Sequence, residues 1–85
     1  MVSKRRILLK ALAGSKNIRF SEIMALAEGF GFRLARISGS HHIFIHPNVD
    51  VPVNLQEVNG HAKPYQVRQL MKLVEEYDLG LEDNQ

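Results

Sequence analysis

Apolar residues recur along the chain with two different periods. Near the start the spacing is helical. Ile7, Leu8, Ala11 and Leu12 share one face of a helix that ends at the turn cluster Gly14-Ser15-Lys16-Asn17. Ile23, Leu26, Ala27 and Phe30 repeat an i, i+3, i+4, i+7 stripe. Ser21 is the expected N-cap of this second helix, and Gly29 and Gly31 bracket its end. The middle of the chain has strand character. Residues 32–38 alternate imperfectly up to Gly39-Ser40. Residues 41–46 are rich in Ile and Phe and stop at Pro47-Asn48. Residues 49–53 alternate valine with other residues. Such short breaks predict an antiparallel meander, with the third strand at an edge because Pro52 has no amide to donate. Residues 54–63 read as a loop turning at Asn59-Gly60. Pro64 suits the first turn of a last helix, with Val67, Leu70, Met71, Val74 and Tyr77 as its buried stripe and Gly80 at its end. The order α-α-β-β-β-α predicts an α+β two-layer sandwich, a three-stranded antiparallel sheet with helices on one face.

Length and composition narrow this further. Eighty-five residues make a single domain, which buries roughly 60–65% of its unfolded surface. That leaves no room for a large cofactor cleft. The chain has no cysteine, so the core holds without disulfides, and thiol catalysis and zinc fingers are excluded. No apolar run approaches the ~18 residues of a membrane helix. The basic start followed by Ile7–Ala13 has the outline of an export signal. Its apolar stretch is short and carries Lys10, so a first helix is the better reading and the chain is expected in the cytoplasm.

Charge is segregated. Residues 1–36 carry eight Lys and Arg side chains against Glu22 and Glu28, a net of +6. Residues 75–85 hold five acids and no base. A basic front half can attract polyanions, although an excess of this size also fits a solvated surface.

The densest chemistry is Gly39-Ser40-His41-His42-Ile43-Phe44-Ile45-His46. Alternation puts His42, Phe44 and His46 on one face of the strand and His41, Ile43 and Ile45 on the other. Which face the helices cover is left open by periodicity. A metal site fits poorly: His42 and His46 stand about 13 Å apart along a strand, far beyond the reach of one zinc ion. Metal-free RNA cleavage fits better. It needs a base for the 2′-hydroxyl proton, a task histidine performs near neutrality. Gly39 would let a phosphate approach the backbone, Ser40 would donate to it, and Arg33 and Arg36 would hold neighbouring phosphates. The bland alternative makes Gly39-Ser40 a plain hairpin turn and the histidines spacers.

Residues 31–47, with Gly-Ser-His-His-Ile-Phe-Ile-His-Pro at their end, then Val51-Pro52-Val53 and Ala62-Lys63-Pro64-Tyr65-Gln66-Val67-Arg68-Gln69, resemble the HicA family of bacterial toxins. The likeness covers residues 20–79, flanked by an N-terminal helix and turn (1–19) and an acidic tail (80–85). It implies a double-stranded-RNA-binding-domain-like fold and an mRNA interferase, a metal-independent endoribonuclease without cofactor, neutralised by a HicB-like antitoxin. It matches the family's active histidine to His41 and its motif glycine to Gly39. His42 is a possible auxiliary. It also implies that His41 faces outward and Phe44 faces the helices, with Ile43 and Ile45 beneath the antitoxin. The family often carries a basic residue where this chain has Ile45, which favours protein contact there. A non-catalytic RNA-binding module and a protein-interaction subunit are the alternative functions on the same fold.

Overall fold

The structure is a computed structural model that describes residues 3–14 and 16–82. Residue 15 of the expected turn and residues 83–85 of the acidic tail lie outside the described residues. The architecture is α+β. Among the described residues there are three helices, α1 (Lys4–Leu12), α2 (Phe20–Gly29) and α3 (Pro64–Glu76), and four strands, β1 (Arg33–Ser38), β2 (His41–His46), β3 (Val49–Val58) and β4 (His61–Ala62). The strands form one antiparallel sheet in the order β1-β2-β3-β4.

The expected three-stranded sheet is therefore corrected to four strands. β3 runs through Asn54–Val58, the stretch that reads as loop, and folds back at Asn59-Gly60 into β4. Both turn residues have positive φ, 53° and 80°, the requirement of a type I′ hairpin. The physical reason is burial: Val53 and Leu55 both enter the core, so the alternation continues past the predicted end. β3 is also not an outer strand along its whole length, because β4 pairs with Glu57 and Val58. Pro52 sits in the half that β4 does not reach, within an irregularity of the β2–β3 register.

α2 begins earlier than expected. Its N-cap is Arg19, not Ser21. The Glu22 carboxylate accepts from the Arg19 amide at 2.9 Å, and the Phe20 amide donates to the Gly60 carbonyl at 2.8 Å. These bonds satisfy the first amides of the helix without a capping hydroxyl. Gly31 takes the left-handed conformation at the end (φ 97°). Gly29 is helical and serves packing, since a Cβ there would lie 2.8 Å from Leu81 and 2.9 Å from Lys4.

Phe44, Val49, Val53, Leu55 and Ala62 of the sheet meet Phe20, Ile23, Leu26, Ala27 and Phe30 of α2 and its end, and Val67 and Leu70 of α3, in one core. α1 packs on α2 and α3 through Ile7 and Ala11. Leu12 of its expected stripe is exposed instead, on the last turn of the helix. On α3, Val67 and Leu70 are buried, whereas Met71, Val74 and the C-cap residue Tyr77 are half-buried around them. The tail is held to the fold through residue 82. The Glu82 amide donates to the Gly29 carbonyl at 2.7 Å, and Leu81 packs on the core.

Candidate functional site

β2 divides its side chains between two environments. Phe44 is fully buried beneath the helices. His42 stacks edge-on against Phe20 with ring centroids 4.6 Å apart, and His46 against Phe32 at 5.1 Å. His42, Phe44 and His46 thus face the helices, and His41, Ile43 and Ile45 face away. All three outward residues are half-buried.

Cross-strand register builds the rest of this open face, because directly paired residues share a side. Arg33 lies opposite Ile45. Arg36, Ile43 and Asn54 form one row, and Ser38, His41 and Gln56 form the next. Arg33 and Arg36 would point to opposite faces of an unbroken strand. Here Leu34 pairs with Phe44 and Arg36 with Ile43, so Ala35 is a bulged residue. The bulge turns both arginines to the open face.

The Gly39-Ser40 hairpin sets where β2 starts. Gly39 has φ 60° and a Cβ placed there would meet nothing within 4 Å. The turn needs glycine for its backbone angle, and the space above it is open. Ser40 is tied on several sides. Its carbonyl accepts from the Glu57 amide at 3.0 Å and contacts His42 Nδ1 at 3.2 Å, and its Oγ accepts from Gln56 Nε2 at 3.2 Å. A hydroxyl that accepts one bond still has its own proton to donate.

His41 has a partner that the sequence did not announce. Its Nδ1 lies 3.2 Å from Oδ1 and 3.0 Å from Nδ2 of Asn54. That leaves Nε2 as the ring nitrogen free to meet a ligand. Its neighbours in sequence differ. His42 Nδ1 turns toward the Ser40 carbonyl on the helix side. His46 uses both nitrogens: Nε2 contacts the Phe30 carbonyl at 3.1 Å, and Nδ1 accepts from the Asn48 amide at 3.0 Å. That histidine fastens the β2–β3 turn to the end of α2. The structure therefore does not bring His42 together with His41. No cluster of three His, Asp or Glu side chains suited to a metal occurs among the described residues.

Other residues reach the site unannounced. Gln66 of α3 is buried, and its Oε1 accepts from the Gln56 amide at 2.6 Å, beside the point where β4 stops. His61, expected in a loop, stands on β4 opposite Val58, and an isolated bridge sets Arg19 beside it. Since 54, 56 and 58 alternate outward along β3, His61 and Arg19 extend the open face on the side away from Arg33 and Arg36. Outside this face, Lys10 and Glu22 form an ion pair at 3.3 Å. The bond from the Arg19 amide is the main cause that holds the Glu22 carboxyl below the usual carboxylate range; burial opposes it, and the Lys10 hydrogen bond with the Lys10 and Arg19 charges adds to the lowering.

The family model of the HicA toxin of bacterial toxin-antitoxin matches residues 20–75, from the first turn of α2 to the last of α3. The match spans well over half of the chain, and the protein belongs to the HicA toxin family. Its class is the ribonuclease-type toxin that has a cognate antitoxin. No curated protein and no solved structure gave a match. No helix among the described residues is long and apolar enough to cross a membrane.

Proposed function

We propose that this toxin binds mRNA across the open face of its sheet and cuts it without a metal or cofactor, using His41. The observation that carries the reading is the placement of the His41 ring: outward-facing, at the first residue of β2, with Nδ1 engaged by Asn54 and arginines on the adjoining strand. His41 Nε2 takes the proton of a 2′-hydroxyl. The O2′–P bond forms and the P–O5′ bond breaks. The leaving 5′-oxygen takes a proton from water, and the imidazolium returns its own to solvent. Products are a 2′,3′-cyclic phosphate and a 5′-hydroxyl. Gly39 leaves room for the phosphate, the Ser40 hydroxyl donates to it, and Arg33 and Arg36 hold the strand. His42, on the other face, has no part in proton transfer.

The transcript crosses the strands from Arg33 and Arg36 past His41 toward His61 and Arg19. The HicB-like antitoxin covers Ile43 and Ile45 and so occludes His41. Both act in the cytoplasm, where transcripts are met. The test is cleavage of a defined RNA in chelator. Wild type is expected to cut, and His41→Ala to lose at least about 10²-fold in rate while keeping its fold and its RNA affinity. Equal rates for the two proteins would remove the proposal. Ile43→Asp is expected to abolish antitoxin binding.

A further inference from the structure

The contact between His41 and Asn54 carries more than a place on the sheet. Asn54 stands in the row next to His41, diagonally across the β2–β3 ladder, and is itself exposed. It therefore reaches His41 by choice of side chain, not because packing forces it there. Both ends of its amide are within hydrogen-bond distance of one ring nitrogen, Oδ1 at 3.2 Å and Nδ2 at 3.0 Å. Nδ1 can use only one of them at a time. If Nδ1 carries a proton, it donates to Oδ1 and the neutral ring has its lone pair on Nε2. If Nδ1 is bare, Nδ2 donates to it and the neutral ring has its proton on Nε2.

Only the first arrangement lets Nε2 take a proton from a ribose. It also remains intact when the ring becomes imidazolium, because Nδ1 keeps its proton throughout. The second must break when the ring is charged. We infer that Asn54 is the positioning residue for His41: its Oδ1 accepts the Nδ1 proton, which holds the ring on the open face and presents the Nε2 lone pair to the 2′-hydroxyl. This inference rests on the nuclease reading above and assigns the tautomer and the positioning role that reading leaves open.

The experiment pairs nitrogen-15 NMR of the His41 ring, recorded on the free full-length protein across pH, with single-turnover cleavage of a defined RNA. Wild type is expected to show the Nδ1–H tautomer when neutral. Asn54→Leu is expected to shift the neutral ring toward Nε2–H and to slow cleavage by about 10²-fold, within the contribution of a positioned base, without weakening RNA binding. Asn54→Asp keeps an acceptor and adds a negative charge. It is expected to retain the Nδ1–H tautomer and cleavage, with the His41 titration and the lower limb of the pH–rate profile both moved up by about one unit or more. A wild-type ring with its proton on Nε2, or one whose tautomer and titration are the same in Asn54→Leu, overturns the inference. So does equal cleavage by wild type and Asn54→Leu. If wild type cuts no RNA, the nuclease reading itself falls, and the tautomer spectrum still separates that failure from a mistaken assignment of the hydrogen bond.

Discussion

Glycines at residues 31 and 39 show how one conformational requirement serves two purposes. Both have positive φ, 97° and 60°. A Cβ at Gly39 would meet open space, whereas one at Gly31 would lie 2.8 Å from the His46 ring. Gly39→Ala is expected to lose only the backbone term, about 1–2 kcal/mol. Gly31→Ala is expected to lose more, because His46 would have to leave its bonds to Phe30 and Asn48. Urea unfolding of the two variants checks the order. Glu22 makes a pH-dependent contribution of a different kind. Its pKa is lowered in the folded state, so the stability it adds is present above the ordinary carboxylate pKa and is lost as pH falls through the folded value. Glu22→Gln should be less stable than wild type at neutral pH, and the gap should close in acid. Melting curves across pH measure it.

The elements explain which parts of the site are legible in the sequence. The histidines, the Gly39-Ser40 turn and the facing pattern of β2 follow from a local period of two. The shared face of Arg33 and Arg36 does not, because it depends on the bulge at Ala35, and strict alternation would part them. Asn54 and Gln56 are hidden inside a stretch with the composition of a loop. A signal is nonetheless present: Val49, Val53 and Leu55 keep the core side of β3, and Asn59-Gly60 is a hairpin sequence. Gln66 gives no signal, since a buried glutamine is recognisable only once its partner, the Gln56 amide, is known. The added strand also has a measurable consequence. If the transcript reaches His61 and Arg19, then Arg19→Ala with His61→Ala should weaken binding of an uncleavable single-stranded RNA. The slope of log affinity against log salt should become shallower by about 0.7 for each phosphate that the double variant leaves unneutralised. An unchanged slope would confine the interface to β1 and β2.

Across the whole molecule, the family match begins where α2 begins, and α1 lies outside it. α1 is nonetheless built into the core. Ile7 is almost fully buried and belongs to the same cluster as Phe44. Ile7→Ala is expected to cost about 2–5 kcal/mol, a large share of the stability of so small a domain. Chemical denaturation would show whether this helix is integral or an appendage.

The six residues of β2 have one further effect, through the strictness of their alternation. A slip of a single position would drive His41 toward Phe20 and leave Phe44 in water, so the misaligned chain would forfeit its hydrophobic anchor in the same step that it turned the His41 ring inward. Misregistered copies are therefore unfolded copies. In the absence of antitoxin, toxicity should track the amount of native protein in direct proportion, with no misregistered yet folded form to dilute it.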